Sequence, residues 1–196
     1  MKTLKESILS HSSHSSETAK NIILIEEWLK RYNIKNYTIK DNFEIDVDGY
    51  VNLYMRNITE LPSYIQFGIV KGYFLCEECG LISLRGCPKK VEEYFNCSNN
   101  KLTSLEGGPV EVGEYFDCSN NKLTTLKGGP VKVGGDLYCS YNKLTTLKGS
   151  PVEVGGNFYC RNNKLTSLKG GPIEVGGSFY CRNNSIEITV DNVIIK

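Results

Sequence analysis

A chain of 196 residues is long enough to bury about 70% of its unfolded surface without staples, as one ordinary domain or a short repeat array. Lysine and arginine number 23 against 22 acids, and the net charge of +1 argues against a dedicated nucleic-acid or membrane-surface binder, leaving any such role to a local patch. Eight cysteines are too sparse for a small disulfide scaffold, and Met1 to His14 lack the apolar core of a secretory signal. The longest apolar run, Ile22 to Ile25, falls far short of the roughly 20 residues that span a bilayer, so the expectation is a cytoplasmic protein without a membrane segment.

Composition then divides the chain. All 19 glycines lie at or after Gly49 and all eight cysteines at or after Cys76, while both histidines precede residue 15. Leu4, Ile8 and Leu9 could form a helical turn or two, but Ser10 to Ser16 reads as a linker. Residues 17–32 place Ile22, Ile25, Leu29 and Tyr32 at helical spacing, with Trp28 near the same face and Ser15 or Ser16 as candidate caps. Phe43, Ile45 and Val47 alternate with acids, and Asp48-Gly49 is a two-residue turn signal leading to Val51 and Leu53, which predicts a hairpin. Residues 1–49 are therefore expected to cap the remainder of the chain.

That remainder is a repeat array. Cys76, Cys97, Cys118, Cys139, Cys160 and Cys181 stand 21 residues apart without exception. Phe116 to Val133 is a representative unit. Phe116 and Cys118 alternate with Tyr115, Asp117 and Ser119, so one face of a short strand is apolar and the other polar. Asn121 recurs as Asn100, Asn142, Asn163 and Asn184, where a stacked amide can bond the backbone groups that a turning chain leaves unpaired. Leu123, Leu126 and their equivalents fill the interior, giving about five inward side chains per coil. Gly128-Gly129-Pro130 excludes a helix of any length, so the back of the coil is predicted to be extended or turned. One coil cannot bury its own apolar face, so coils must stack with strands about 4.8 Å apart in a parallel sheet. An irregular coil, with Val51-x-Leu53 then Ile58 and Leu61, precedes Cys76 at a spacing of 23, for about seven coils over residues 50–186. Residues 187–196 continue an apolar tail from Ile186 that could add a strand or fold over the last coil.

The unit resembles a leucine-rich repeat, whose consensus has alternating strand hydrophobes, an Asn or Cys, then Leu; with Leu-Thr-Ser-Leu and Gly-Gly-Pro it is most similar to the short repeats of bacterial and phage proteins. The resemblance covers residues 50–186 and implies a β-rich solenoid, a right-handed coil with a parallel sheet on one face and an extended, non-helical back. Val112 and Val154 lie four residues before the strand Phe rather than three, which predicts a bulge where the strand begins. Cys79 replaces an Asn of the pattern and Cys87 a Gly. The likeness to phage proteins also implies a factor that engages or inhibits a host protein, in the host cytoplasm if phage-encoded.

Catalytic and metal chemistry find little support. Cys76, Cys79, Cys87 and Cys97 invite a zinc reading, but the register puts Cys76 and Cys97 in different coils and makes the cysteine column a row of small buried hydrophobes. His11 and His14 could share a helix face, yet their serine-rich setting offers no carboxylate or thiol partner. Ser98, Ser119 and Ser140 have no histidine in their coils and read as strand-end surface residues, and the Gly-Gly-Pro turns lack the lysine and helix of a phosphate loop. The expectation is no enzyme, no metal and no cofactor.

Function is expected on the outward strand residues, which vary from coil to coil while the inward ones barely change. Nine of the twelve tyrosines lie on or beside this face, and tyrosine offers large contact area at small entropic cost. Tyr94, Tyr115, Asp117, Asp136, Tyr138, Tyr159, Arg161, Tyr180 and Arg182 are the candidate contacts for a protein partner, with acids in the earlier coils and arginines in the last. Two alternatives remain. Self-association as a structural or virion component could use the tail or an end coil, and Lys101, Lys122, Lys143 and Lys164 form a stripe that could meet nucleic acid, although recurring Glu111, Glu153 and Glu174 favour a solubility role.

Overall fold

The computed structural model describes residues 4–186, 188–190 and 193–195, with side chains from residue 17 to residue 186. The chain is a β-solenoid with one helix before it. Two parallel sheets face each other across a single core. The front sheet has seven strands, Val51–Asn52, Phe74–Leu75, Phe95–Asn96, Phe116–Asp117, Leu137–Tyr138, Phe158–Tyr159 and Phe179–Tyr180. The back sheet stacks Ile45–Val47, Phe67–Val70, Lys90–Val91, Glu111–Val112, Lys132–Val133, Glu153–Val154 and Glu174–Val175, with Tyr37–Ile39 antiparallel at its edge. The extended back is thus itself a hydrogen-bonded ladder. The predicted bulge is absent, because Val112 belongs to the back sheet and Gly113 to Tyr115 form a corner between the two sheets. Glycine is needed at that corner, where a Cβ on Gly134 would run into the carbonyl oxygen of Gly113 in the coil before.

The 21-residue step makes equivalent positions neighbours. Phe95 pairs with Phe116, Leu137 with Phe116 and Phe158, and Phe158 with Phe179, whereas Val51 pairs with Phe74 across the longer first step. Val112, Phe116, Cys118, Leu123 and Leu126 are all buried, so a mid-stack coil supplies the expected five apolar side chains to one continuous core, whereas the equivalent Leu168 near the end of the stack is exposed. Between strand and leucines the chain reverses through Asn120, at φ 54°, a left-handed conformation that Asn tolerates better than most side chains. Beyond Leu126, the Thr125 hydroxyl accepts from Lys127 N–H at 3.3 Å, and Gly128 takes φ 84° to complete the turn.

The amide of Asn121 joins neighbouring coils as anticipated. Its Oδ1 accepts from Leu102 N–H at 2.9 Å, while its Nδ2 donates to Cys97 O in the preceding coil at 3.0 Å and to Cys118 O and Ser119 O in its own at 3.2 Å. Asn100, Asn142, Asn163 and Asn184 repeat the arrangement. In the Cys76 coil Cys79 stands in for the amide and donates its thiol to Leu53 O at 2.8 Å.

The cap differs from expectation in two respects. The helix runs from Leu4 to Arg31 and includes the serine-rich stretch read as a linker, so Ser15 and Ser16 are interior rather than caps; no Gly or Pro interrupts it, and serine alone does not break a helix. It ends with Asn33 at φ 55° and Ile34 N–H bonded to Leu29 O. The hairpin lies one strand earlier, as Tyr37–Ile39 against Ile45–Val47, and Asp48-Gly49 turns the chain from back sheet to front. That corner lets Ile45 and Val47 face the core from one side and Val51 and Leu53 from the other, which a hairpin in one layer could not do. Trp28 meets Phe67 edge-on at 6.1 Å and Phe67 meets Phe74 at 5.5 Å, joining helix to solenoid. Ile188–Val190 and Val193–Ile195 pair with each other and add no strand to either large sheet. The side chains of Leu4, Ile8, Leu9, His11 and His14 lie outside the described residues. No described helix is long and apolar enough to cross a membrane.

Removing one mid-stack amide by Asn121→Ala leaves the buried Leu102 N–H without its partner, at about 1–3 kcal/mol, and takes one of two donors from each of Cys97 O, Cys118 O and Ser119 O. Urea denaturation should show a loss of about 1–3 kcal/mol, larger than for Asn184→Ala at the more exposed last coil.

Candidate binding face

The outward residues of the front sheet form three columns. The first reads Tyr50, Tyr73, Tyr94, Tyr115, Asp136, Asn157 and Ser178, as the bonds from Val51 N–H to Tyr73 O through Phe158 N–H to Ser178 O establish. The second reads Asn52, Leu75, Asn96, Asp117, Tyr138, Tyr159 and Tyr180. The third reads Tyr54, Glu77, Ser98, Ser119, Ser140, Arg161 and Arg182, as the bonds from Met55 N–H to Glu77 O through Asn162 N–H to Arg182 O establish.

In-register stacking at strand spacing turns the tyrosines into a ladder. Tyr50, Tyr73, Tyr94 and Tyr115 stack at 4.8, 4.9 and 4.6 Å between ring centroids, and Tyr138, Tyr159 and Tyr180 stack at 4.7 Å. The two runs lie in different columns and meet where Tyr115 touches Tyr138 edge-on at 6.1 Å and 87°. Seven rings therefore form one aromatic path that steps sideways at mid-face. The step falls in the coil where Leu137 replaces the inward Phe and interrupts the Phe74, Phe95 and Phe116 stack below. Because the rings cover one another's faces, their edges and hydroxyls are what the surface offers.

The positions vacated by the sideways step hold acids. Asp136 continues the first column and accepts from Tyr138 Oη at 2.8 Å, Asn157 N–H at 2.6 Å and Asn157 Nδ2 at 3.2 Å. Burial pushes its carboxyl up, but the bonds from Asn157 and Tyr138 outweigh it, and the group sits below the ordinary aspartate value. Asp117 heads the second run and accepts from Ser119 N–H at 2.8 Å and from the Ser119 hydroxyl; burial dominates there and raises its pKa. Glu77 is raised by burial first and then by the charges of Asp117 and Glu78. Burial and the neighbouring Tyr94 and acids push Tyr115 up to about 12, and burial with the Asp136 bond raises Tyr138 further.

No known protein family, curated protein or solved structure matches the chain. Its site is therefore read from its own geometry.

The structure brings all nine anticipated contact residues onto this face, with Tyr94, Tyr115, Asp117, Asp136, Tyr138 and Tyr159 partly buried by their neighbours and Arg161, Tyr180 and Arg182 exposed. Sequence reasoning left Tyr50 and Tyr73 out of the contact set, although a tyrosine one residue before the inward hydrophobe at 50, 73, 94 and 115, and one after it at 138, 159 and 180, was a readable signal of the ladder. It also left out Tyr141, which holds φ 55° at a position filled by Asn at 99, 120, 162 and 183 and by Met55 and Glu78 in the first two coils. A bulky side chain is strained there. The residue is 49% exposed, and the Arg161 guanidinium lies 5.8 Å from its ring centroid. Ser98, Ser119 and Ser140, expected at the surface, are instead buried, so the column that separates Glu77 from Arg161 is occupied by small, sunken side chains.

Charges are handled differently elsewhere. The back sheet pairs Lys90 with Glu111 at 3.4 Å and Lys132 with Glu153 at 2.8 Å; the cap pairs Lys40 with Glu44 and Asp46, Lys89 with Glu44, and Lys71 with Asp48; the turn pairs Lys127 with Glu106. Among the described residues no ion pair involves Glu77, Asp117, Asp136, Arg161 or Arg182, and none involves Lys101, Lys122, Lys143 or Lys164. The cysteine column is a packing feature: Cys76 to Cys160 are buried free thiols, and burial lifts Cys160 to about 12 and the inner ones higher than ordinary thiols. A groove of about 760 Å³ lies between the helix and Tyr37, away from this face.

The raised Asp117 carboxyl has a defined sign. A folded-state pKa above the unfolded one means that the wild type loses stability as pH rises from the ordinary aspartate value through the raised one. Asn96 fills the same column and accepts from Ser98 N–H at 2.9 Å, the same contact that Asp117 makes. Asp117→Asn should therefore keep the bond, raise the thermal midpoint at pH 7, and show that advantage shrinking toward pH 4 when melting is followed by circular dichroism.

Proposed function

We propose that the chain is a non-enzymatic protein-binding module that meets a partner protein through its tyrosine-rich front face. The observation that carries this reading is the contrast between the two sheets. On the back, Lys90 pairs with Glu111 and Lys132 with Glu153, and Glu174 alone continues the row. On the front, an aromatic ladder of seven tyrosines lies beside acids and arginines that have no charged partner among the described residues. Aromatic rings with flanking arginine are the residues that dominate binding energy where proteins meet. Tyr141 supports the same reading, since strain retained at an exposed ring is better understood as serving contact than as serving the fold.

The resemblance of the 21-residue unit to the short leucine-rich repeats of bacterial and phage proteins leads us to place the partner in a bacterial cytoplasm, as a host protein that the module engages or inhibits. Tyr94, Tyr115, Asp117, Asp136, Tyr138, Tyr159, Arg161, Tyr180 and Arg182 are the contacts assigned to it. Truncating Tyr138, Tyr159 and Arg161 together to alanine removes the centre of the second tyrosine run and its nearest arginine. Affinity capture from bacterial lysate, read by mass spectrometry, should lose the retained protein with this variant by at least tenfold while its far-ultraviolet circular dichroism matches wild type; undiminished capture would refute the assignment of the face.

A further inference from the structure

The order of the charges on the front face describes the partner more closely than the rings do. In the third column Glu77 stands in the second coil, after the exposed Tyr54, and Arg161 and Arg182 stand at the far end, with three buried serines between the charges. Glu77 Oε2 is shielded from solvent and has no hydrogen-bond partner, and Asp117 is close enough for its charge to act on Glu77. A carboxylate oxygen withdrawn from water without a donor is unfavourable until a cation or donor reaches it. At the far end, neither arginine meets a carboxylate among the described residues, although a guanidinium fork is shaped to bind one. The two ends thus lack complements of opposite sign.

Resting on the protein-binding reading, we propose that the partner lays an extended segment along the solenoid axis, with a basic side chain against Glu77 and Asp117 and an acidic side chain against Arg161 and Arg182. A polyanion such as nucleic acid, or an anionic membrane, would satisfy the arginines and be repelled by the acids, whereas a polypeptide can carry both signs. Asp117 and Arg161 lie two coils apart and Glu77 and Arg182 five. At about 4.8 Å per coil these separations are about 10 and 24 Å, the reach of about three to seven extended residues. The sunken serines keep the path between the ends free of projecting side chains, and the tyrosine ladder borders it.

The other coils supply substitutions that the fold already accepts in these columns: Glu77→Ser with Asp117→Asn at the acidic end, and Arg161→Ser with Arg182→Ser at the basic end. The probe is a random dodecapeptide library selected on the immobilised full chain, with the affinity of the enriched peptides measured by fluorescence anisotropy. Enriched peptides should carry a basic and an acidic residue three to seven positions apart and should bind each double variant at least tenfold more weakly. Peptides that lose affinity for Tyr138→Ala/Tyr159→Ala but bind both charge variants as tightly as wild type would overturn the charge assignment and leave the face in place. Peptides indifferent to the tyrosine variant as well, or no enrichment at all, would overturn both.

Discussion

Everything on the surface of this protein depends on the register that stacked asparagines hold. An amide such as Asn121 reaches a backbone N–H and a carbonyl in the preceding coil while binding two carbonyls of its own. One side chain thus ties four backbone groups of two coils together, Leu102 N–H having no other partner among the described residues and each carbonyl sharing one further donor, so a coil that slipped by one residue would lose these bonds together. Slippage would also turn Phe116 and Cys118 outward. The ladder and the apolar core therefore specify the same alignment, and the 21-residue step becomes a lattice on which every outward side chain has a fixed neighbour.

Such a lattice carries a cost for charge, because a residue copied from coil to coil stacks against itself about 4.8 Å away. The two sheets deal with this differently. The back alternates sign from Lys90 through Glu111 and Lys132 to Glu153, with Lys90 paired to Glu111 and Lys132 to Glu153, before Glu174 ends the row. The front fills most of its rows with tyrosine, asparagine and serine, for which self-stacking is harmless or favourable, and keeps its acids and arginines in different coils. Asp117 and Asp136 occupy the places left by the sideways step of the tyrosine path, and the arginines occupy the last coils. The ladder of rings is then a direct consequence of repetition, while its dislocation and the charges around it are the departures from repetition that give the face a direction.

The repeat, the asparagine ladder, the inward Phe, Cys and Leu positions and the outward tyrosines were all legible in the sequence, because each recurs at a fixed interval and periodicity is the strongest signal a sequence carries. The second sheet was not, since strands of two residues such as Glu111–Val112 are too short to show alternation. The helix through Ser10 to Ser16 was misread from serine content alone, and the hairpin was displaced by a turn signal at Asp48-Gly49 that marks a corner between sheets instead. Burial of Ser98, Ser119 and Ser140 was hidden because a small polar residue reads the same at a surface as in a tight space. The sideways step of the tyrosines, and the strained Tyr141, became visible only once neighbouring coils were laid in register.

The claim that the front face is the contact surface can be tested at the rings themselves. The twelve tyrosines can be replaced by 3-fluorotyrosine, assigned by single Tyr→Phe changes, and followed by fluorine NMR as the protein captured from lysate is added. The account predicts that resonances of the front-sheet tyrosines, Tyr115 and Tyr138 above all, shift or broaden while those of Tyr32, Tyr37 and Tyr64 in and beside the cap stay in place. Perturbation confined to the cap tyrosines would contradict it.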